Sequence, residues 1–257
     1  MEFRLHGANP EKLYELFGLQ MPERLYDFST NTNAVAQRGG FVPDLRAALE
    51  DYPDDECLAL RALLAEATGA APENILVTSG SNESIYLIAS YEAARENRIL
   101  QPVYGEYLRA LKNFGAAPLN IFDLRAAKLP AEGAVWLCNP CNPTGGFIPD
   151  GELDEIAARH PRTLFIVDEA YRDFIWTDET LAPYRPRPNV VRLRSLTKTY
   201  NLCGARIGYI LADAEMTERL RRRQPSWSVS GLAQQAALFF LADATLLRRT
   251  KDYYAAE

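Results

Sequence analysis

The chain has 257 residues, 47% of them hydrophobic, enough apolar material for one large domain or two small ones around a substantial core. Its formal net charge of -6 excludes a broad electrostatic footprint for nucleic acid or an anionic membrane, and the local run Arg219, Arg221, Arg222 and Arg223 does not reverse that. No stretch approaches the roughly 20 apolar residues that span a bilayer, and MEFRLHGANP lacks an apolar signal core, so a cytoplasmic location is expected.

Residues 1–30 read as an N-terminal arm, because Pro10, Gly18 and Pro22 interrupt any period ahead of DFSTNTN (27–33). Beyond it, short apolar runs alternate with longer amphipathic stretches. They are NILVT (74–78), NESIYLIASYEAARE (82–96), RIL (98–100), AVWLCNP (134–140), DGELDEIAARH (150–160), TLFIVDEAY (163–171) and NVVRLRS (189–195). This is βαβ grammar, and near-continuous apolar runs such as LFIV fit strands covered on both faces, so the sheet is expected to be mainly parallel.

Ligands on such sheets gather beyond the carboxyl ends of the strands. The clusters there are polar: Thr78 to Asn82, Asn139 to Gly145, Asp168 to Tyr171 and Ser195 to Lys198. In TSGSNESI, Gly80, Ser81 and Asn82 open a helix whose free N–H groups and dipole favour a phosphate, although such turns open many helices. Ser195, Thr197 and Arg206 are candidates to join them. CNPCNPTGG (138–146) is a turn by composition, and the side chain of Asn142 could donate to a phenolate oxygen on a bound ring. Cys138 and Cys141 form a CxxC with Pro140 inside it and no second pair; with Cys57 and Cys203 they read as small residues rather than a metal or redox site.

Asp168 closes an apolar strand, where an ionised carboxylate needs a cationic partner. A protonated pyridine nitrogen is one such partner, and a helix N-terminus or a structural ion pair is another. Lys198 follows a strand in a hydroxyl-rich turn and is the residue type that makes Schiff bases with carbonyls. Taken alone, a lysine there also reads as a surface residue. What is specific is the order NPTG, DEAY, SLTK.

In these motifs, and over essentially its whole length, the chain resembles the fold-type I pyridoxal 5'-phosphate (PLP) enzymes. Within them it is similar to the branch of histidinol-phosphate aminotransferases and threonine-phosphate decarboxylases. HGAN (6–9), DFSTNTN, YGEY (104–107), RSLTKTY (194–200) and RLRRRQPSWSVS (219–230) look most like the decarboxylases of cobalamin synthesis. The resemblance implies a three-layer α/β/α large domain over 31–237 and a truncated small domain beginning at 238–257. It implies that Lys198 holds the cofactor as a Schiff base, Asp168 pairs with its ring nitrogen, Asn142 and Tyr171 hold its phenolate oxygen, and Tyr104 stacks on the ring. Tyr52 would reach the cofactor phosphate of a neighbouring subunit, which implies a homodimer, and His6 and Asn31 become candidate substrate contacts.

The implied substrate is a small phosphorylated amino acid or amine, decarboxylated or, alternatively, transaminated. The family's carboxylate-gripping arginine finds no match here, and NTNAVAQ departs from the NxNPxG pattern at Ala34 and Ala36. A catalytically silent PLP-binding protein is a further alternative; a nucleotide-binding domain would need Gly-rich spacing and a P-loop lysine that TSGSNES lacks.

Overall fold

The computed structural model describes residues 9–36, 39–175 and 184–256. Its strands are β1 (Ile75–Thr78), β2 (Glu96–Leu100), β3 (Leu119–Ile121), β4 (Gly133–Cys138), β5 (Thr163–Asp168), β6 (Val190–Ser195) and β7 (Gly208–Leu211). They form one 7-stranded sheet in the order β1-β7-β6-β5-β4-β2-β3. Pairing is parallel from β6 through β3, while β7 runs antiparallel to both β1 and β6. The sheet is thus mainly parallel, with two strands, β3 and β7, that the alternation of apolar runs does not pick out.

Side chains of β4 and β5 are buried at every position, as the apolar runs require of central parallel strands. Successive residues face opposite ways. Trp136, Leu164 and Ile166 pack with Ile85 and Ile88 of helix Gly80–Glu92, Leu111 of helix Glu106–Asn113 and Leu220 of helix Ala214–Arg221. Val135, Leu137, Phe165 and Val167 pack on the other face with Leu153 and Ile156 of helix Asp150–Arg159. That same face, beneath β1 and β7, is covered by helices Leu58–Thr68 and Gly231–Leu241. The result is a three-layer α/β/α fold. Helix Gly231–Leu241 runs continuously through the expected boundary at 237 and 238, with Ala233 and Ala237 in the core.

The arm carries helix Pro10–Leu16, which buries none of its residues. The chain returns to the core at Asn33, which is fully buried. No helix among the described residues is long and apolar enough to cross a membrane.

Candidate active site

The carboxyl ends of β1, β4, β5 and β6 lie at one edge of the sheet, because β7 reverses direction between β1 and β6. Beyond that edge is a cavity of about 330 Å³. Its lining includes Ser81 and Asn82 after β1, Asn142 after β4, Asp168 and Tyr171 at the end of β5, and Thr197, Lys198 and Arg206 after β6. Tyr104 and, from the end of the arm, Asn31 complete the set of sequence-predicted residues found there.

Asp168 and Glu169 are adjacent, both buried, and held by different partners. Glu169 takes Arg172 at 3.0 Å, Arg194 at 2.6 Å and Arg192 into an ion-pair cluster that also includes Asp150. Burial alone would raise its carboxyl, but the three guanidiniums hold it below the usual range. The structural ion pair therefore belongs to Glu169. Asp168 instead accepts from the Tyr107 hydroxyl at 2.7 Å and from the Ala170 N–H at 3.0 Å. Burial pushes its carboxyl up from the ordinary 3.8 to about 6, against the pull of the Tyr107 hydrogen bond.

At the start of helix Gly80–Glu92, Ser79 makes no side-chain cap, so it leaves the first-turn N–H groups to another acceptor. Arg206 brings its guanidinium against this turn. A Cβ on Gly80 would lie 2.7 Å from Arg206 Nη2 and push the guanidinium aside, and the φ of +76° there independently favours glycine. Arg206 itself has φ +57° and donates to the Cys203 carbonyl at 3.0 Å. Helix dipole, free N–H groups and guanidinium together make an anion cradle.

Gly208 makes the same corner possible. It pairs with both Thr78 and Ser195, and an added Cβ would meet Arg194 O at 2.7 Å and Ser81 N at 2.9 Å, both backbone atoms. Gly208→Ala should therefore lower stability by about 1–3 kcal/mol and weaken phosphate-dependent cofactor binding at least tenfold. Denaturant titration and a PLP titration check this, and an alanine variant matching wild type in both would refute the close approach.

Local packing explains the rest. Asn139 closes the turn after β4 by exchanging two 2.8 Å bonds with the backbone of Ile148, which leaves Asn142 to face the cavity. Tyr171 OH accepts from Asn31 Nδ2 at 3.4 Å, and Tyr104 OH donates to Asn82 Oδ1 at 3.4 Å. Burial pushes the Tyr104 hydroxyl up to about 12, so it stays protonated. Ser195 is buried, bonded to Thr197 at 2.7 Å, and does not line the cavity.

Tyr52 lies apart from the cavity, 81% exposed, with its ring 4.7 Å from that of Trp227. His6 falls outside the described residues. Sequence reasoning missed Tyr107, although it ends the YGEY motif, and Asn33. The Asn33 N–H donates to Lys198 O at 3.0 Å, and its side chain donates to Thr199 O at 3.0 Å and Thr250 Oγ1 at 2.7 Å. That clamp ties the arm, the lysine turn and helix Leu246–Ala256 together.

The residues present fit PLP on two observations. The cradle at Gly80 and Arg206 suits a phosphate monoester, and a buried carboxylate with one donor per oxygen keeps lone pairs free for a protonated ring nitrogen. Among the described residues no cluster could hold a metal ion.

Comparison with known proteins agrees. The threonine-phosphate decarboxylase of Salmonella typhimurium is 32% identical over 95% of this chain and 72% of its own length. A histidinol-phosphate aminotransferase of Ralstonia nicotianae is 30% identical over 93% of this chain and 69% of its own. The crystal structure of L-threonine-O-3-phosphate decarboxylase from Porphyromonas gingivalis superposes with a TM-score of 0.75 at 29% identity, covering 83% of this chain and 66% of that one. The chain thus spans about two thirds to three quarters of the length of these relatives. The family described as aminotransferase class I and II matches residues 27–255, and this chain belongs to that family of enzymes, whose cofactor is pyridoxal 5'-phosphate.

Proposed function

We propose that the protein acts on a small phosphorylated amino acid or amine in the manner of a threonine-phosphate decarboxylase. The observation that carries this reading is the convergence of Lys198, Asp168 and the Arg206 cradle on one cavity. When bound, PLP supplies an electron sink conjugated to the substrate α-carbon. Lys198 Nζ would hold the cofactor through its aldehyde carbon and, as a free amine at the cavity, would be the base placed to carry a proton. The Asp168 carboxylate would keep the ring nitrogen protonated, Asn142 and Tyr171 would hold the phenolate oxygen, and Tyr104 would cover the ring. Ser81, Asn82, Thr197 and Arg206 would orient the cofactor phosphate, with Ser195 fixing Thr197.

Asn31 reaches Tyr171 from the arm, which supports a substrate contact there, with His6 farther along the same segment. The exposed Tyr52 and Trp227 pair supports a homodimer in which Tyr52 approaches the partner's cofactor phosphate.

Decarboxylation breaks the bond from Cα to the carboxylate, releases carbon dioxide and returns a proton to Cα, leaving an amine phosphate. Transamination breaks Cα–H instead, and the likeness to histidinol-phosphate aminotransferase favours it as the second reading. Incubation with threonine phosphate should yield carbon dioxide and an amine phosphate. Turnover only of histidinol phosphate with 2-oxoglutarate would replace the first reading by the second, and a bound cofactor that turns over neither amine would leave a silent binding protein.

A further inference from the structure

The least expected feature of the site is a fully buried phenol behind it. Tyr107 lies in helix Glu106–Asn113 and is 1% exposed. Its ring stacks on Trp136 with centroids 6.0 Å apart and meets Tyr104 edge-on at 6.0 Å. Trp136 is pinned in turn, its Nε1–H donating to Asn97 Oδ1 at 2.9 Å, and Asn97 Nδ2 donates to Glu92 O at 2.9 Å and Arg95 O at 2.8 Å. A ring held on both sides leaves the hydroxyl little choice of direction, and it donates to Asp168 Oδ2 at 2.7 Å.

We propose that Tyr107 is a positioning residue for the reaction: its hydroxyl fixes the orientation and the ionised state of Asp168, and its ring backs Tyr104. The reaction role rests on the functional reading above. The chemistry favours a phenol over the alternatives. An arginine or lysine at this place would neutralise the carboxylate and repel a protonated ring nitrogen. An apolar side chain would leave one carboxylate oxygen buried without a donor, which favours the neutral acid. A hydroxyl donates without adding positive charge, and it leaves acceptor capacity on both oxygens for a donor in the cavity.

The groups that face Asp168 are Tyr104, Tyr107, Cys138, Glu169, Tyr171 and Lys198. Burial is the largest influence on its carboxyl and raises it, Tyr107 is the next and lowers it, Glu169 raises it and Lys198 lowers it.

The test is Tyr107→Phe, which removes one oxygen and keeps the ring. In cofactor-free protein labelled with carboxyl-13C aspartate, the Asp168 resonance, assigned by its loss in Asp168→Asn, should titrate about one pH unit higher than in wild type. In the holoenzyme kcat should fall about tenfold while KM changes less than threefold. Site-specific 3-fluorotyrosine at position 107, a stronger donor of nearly the same shape, should move the midpoint down, so the test survives poor folding of the phenylalanine variant. Midpoints that do not move in either variant would overturn the proposal. Failure of wild-type protein to bind PLP would remove the functional reading, and with it the reaction role; it is distinguishable because the midpoint is measured without cofactor.

Discussion

Lys198→Ala should abolish covalent trapping of PLP by borohydride and lower turnover by on the order of 10³-fold or more, since on the proposed reading the same amine would both hold the cofactor and move a proton. The fold should survive. Lys198 is half-buried at the cavity, and its backbone carbonyl, which the alanine variant keeps, is what Asn33 grips. The anion cradle remains as well, so noncovalent binding should persist with weakened affinity. Loss of the covalent adduct is therefore the decisive measurement. Peptide mapping of reduced wild-type protein should find the pyridoxyl group on Lys198 alone. A label on Lys112 or Lys128, which are exposed and away from the cavity, or on Lys251 would overturn the site.

Asp168→Asn should separate stability from chemistry. The carboxyl is raised from the ordinary 3.8 to about 6, chiefly by burial. The native state therefore binds this proton more tightly than the unfolded chain, and the stability it contributes is present below pH 4 and lost as pH rises through 6. The difference corresponds to about 3 kcal/mol. In cofactor-free protein the stability gap between variant and wild type should swing toward the variant by that order between pH 4 and pH 7, as read by denaturant titration. Catalysis should move the opposite way, falling on the order of 10²-fold or more, because a neutral amide does not stabilise a protonated ring nitrogen. A flat stability difference across that range, or turnover equal to wild type, would refute the role given to this carboxylate.

Above pH 6 the ionised Asp168 costs the cofactor-free chain stability, a common property of buried functional carboxylates. Glu169 beside it shows the contrast. With three arginines around it, the same degree of burial leaves a carboxyl below its usual range.

By itself the sequence determined the elements and the chemical types at their ends. The apolar runs that became β1, β4 and β5 are local signals, because burial on both faces demands continuous apolar residues, and the shorter runs of β2 and β6 stand out between the amphipathic stretches around them. The glycine and proline turns and the helix opening at Gly80 are equally local, since they depend on φ preferences and nearby N–H groups. The order of the asparagine, aspartate and lysine clusters followed directly, and their convergence followed from the rule that carboxyl ends of strands share an edge.

Tertiary structure decided the rest. β3 is a short edge strand with two of its three residues exposed, and β7 has only four residues. Length does not set β7 apart, since β1 is equally short, but β7 opens on Gly208 directly after the turn that carries Arg206, and it is what brings β1 and its anion cradle to the same edge. Which carboxyl of the Asp168 and Glu169 pair sits among arginines depends on contacts with β6 and with Asp150, and sequence patterning does not encode them. The hydroxyl of Tyr107 meets Asp168 across 61 positions, and Asn33 meets Thr199 across 166. Such pairings arise because close packing leaves a buried polar group few places to find a partner, so their geometry is a property of the assembled core rather than of any segment in it.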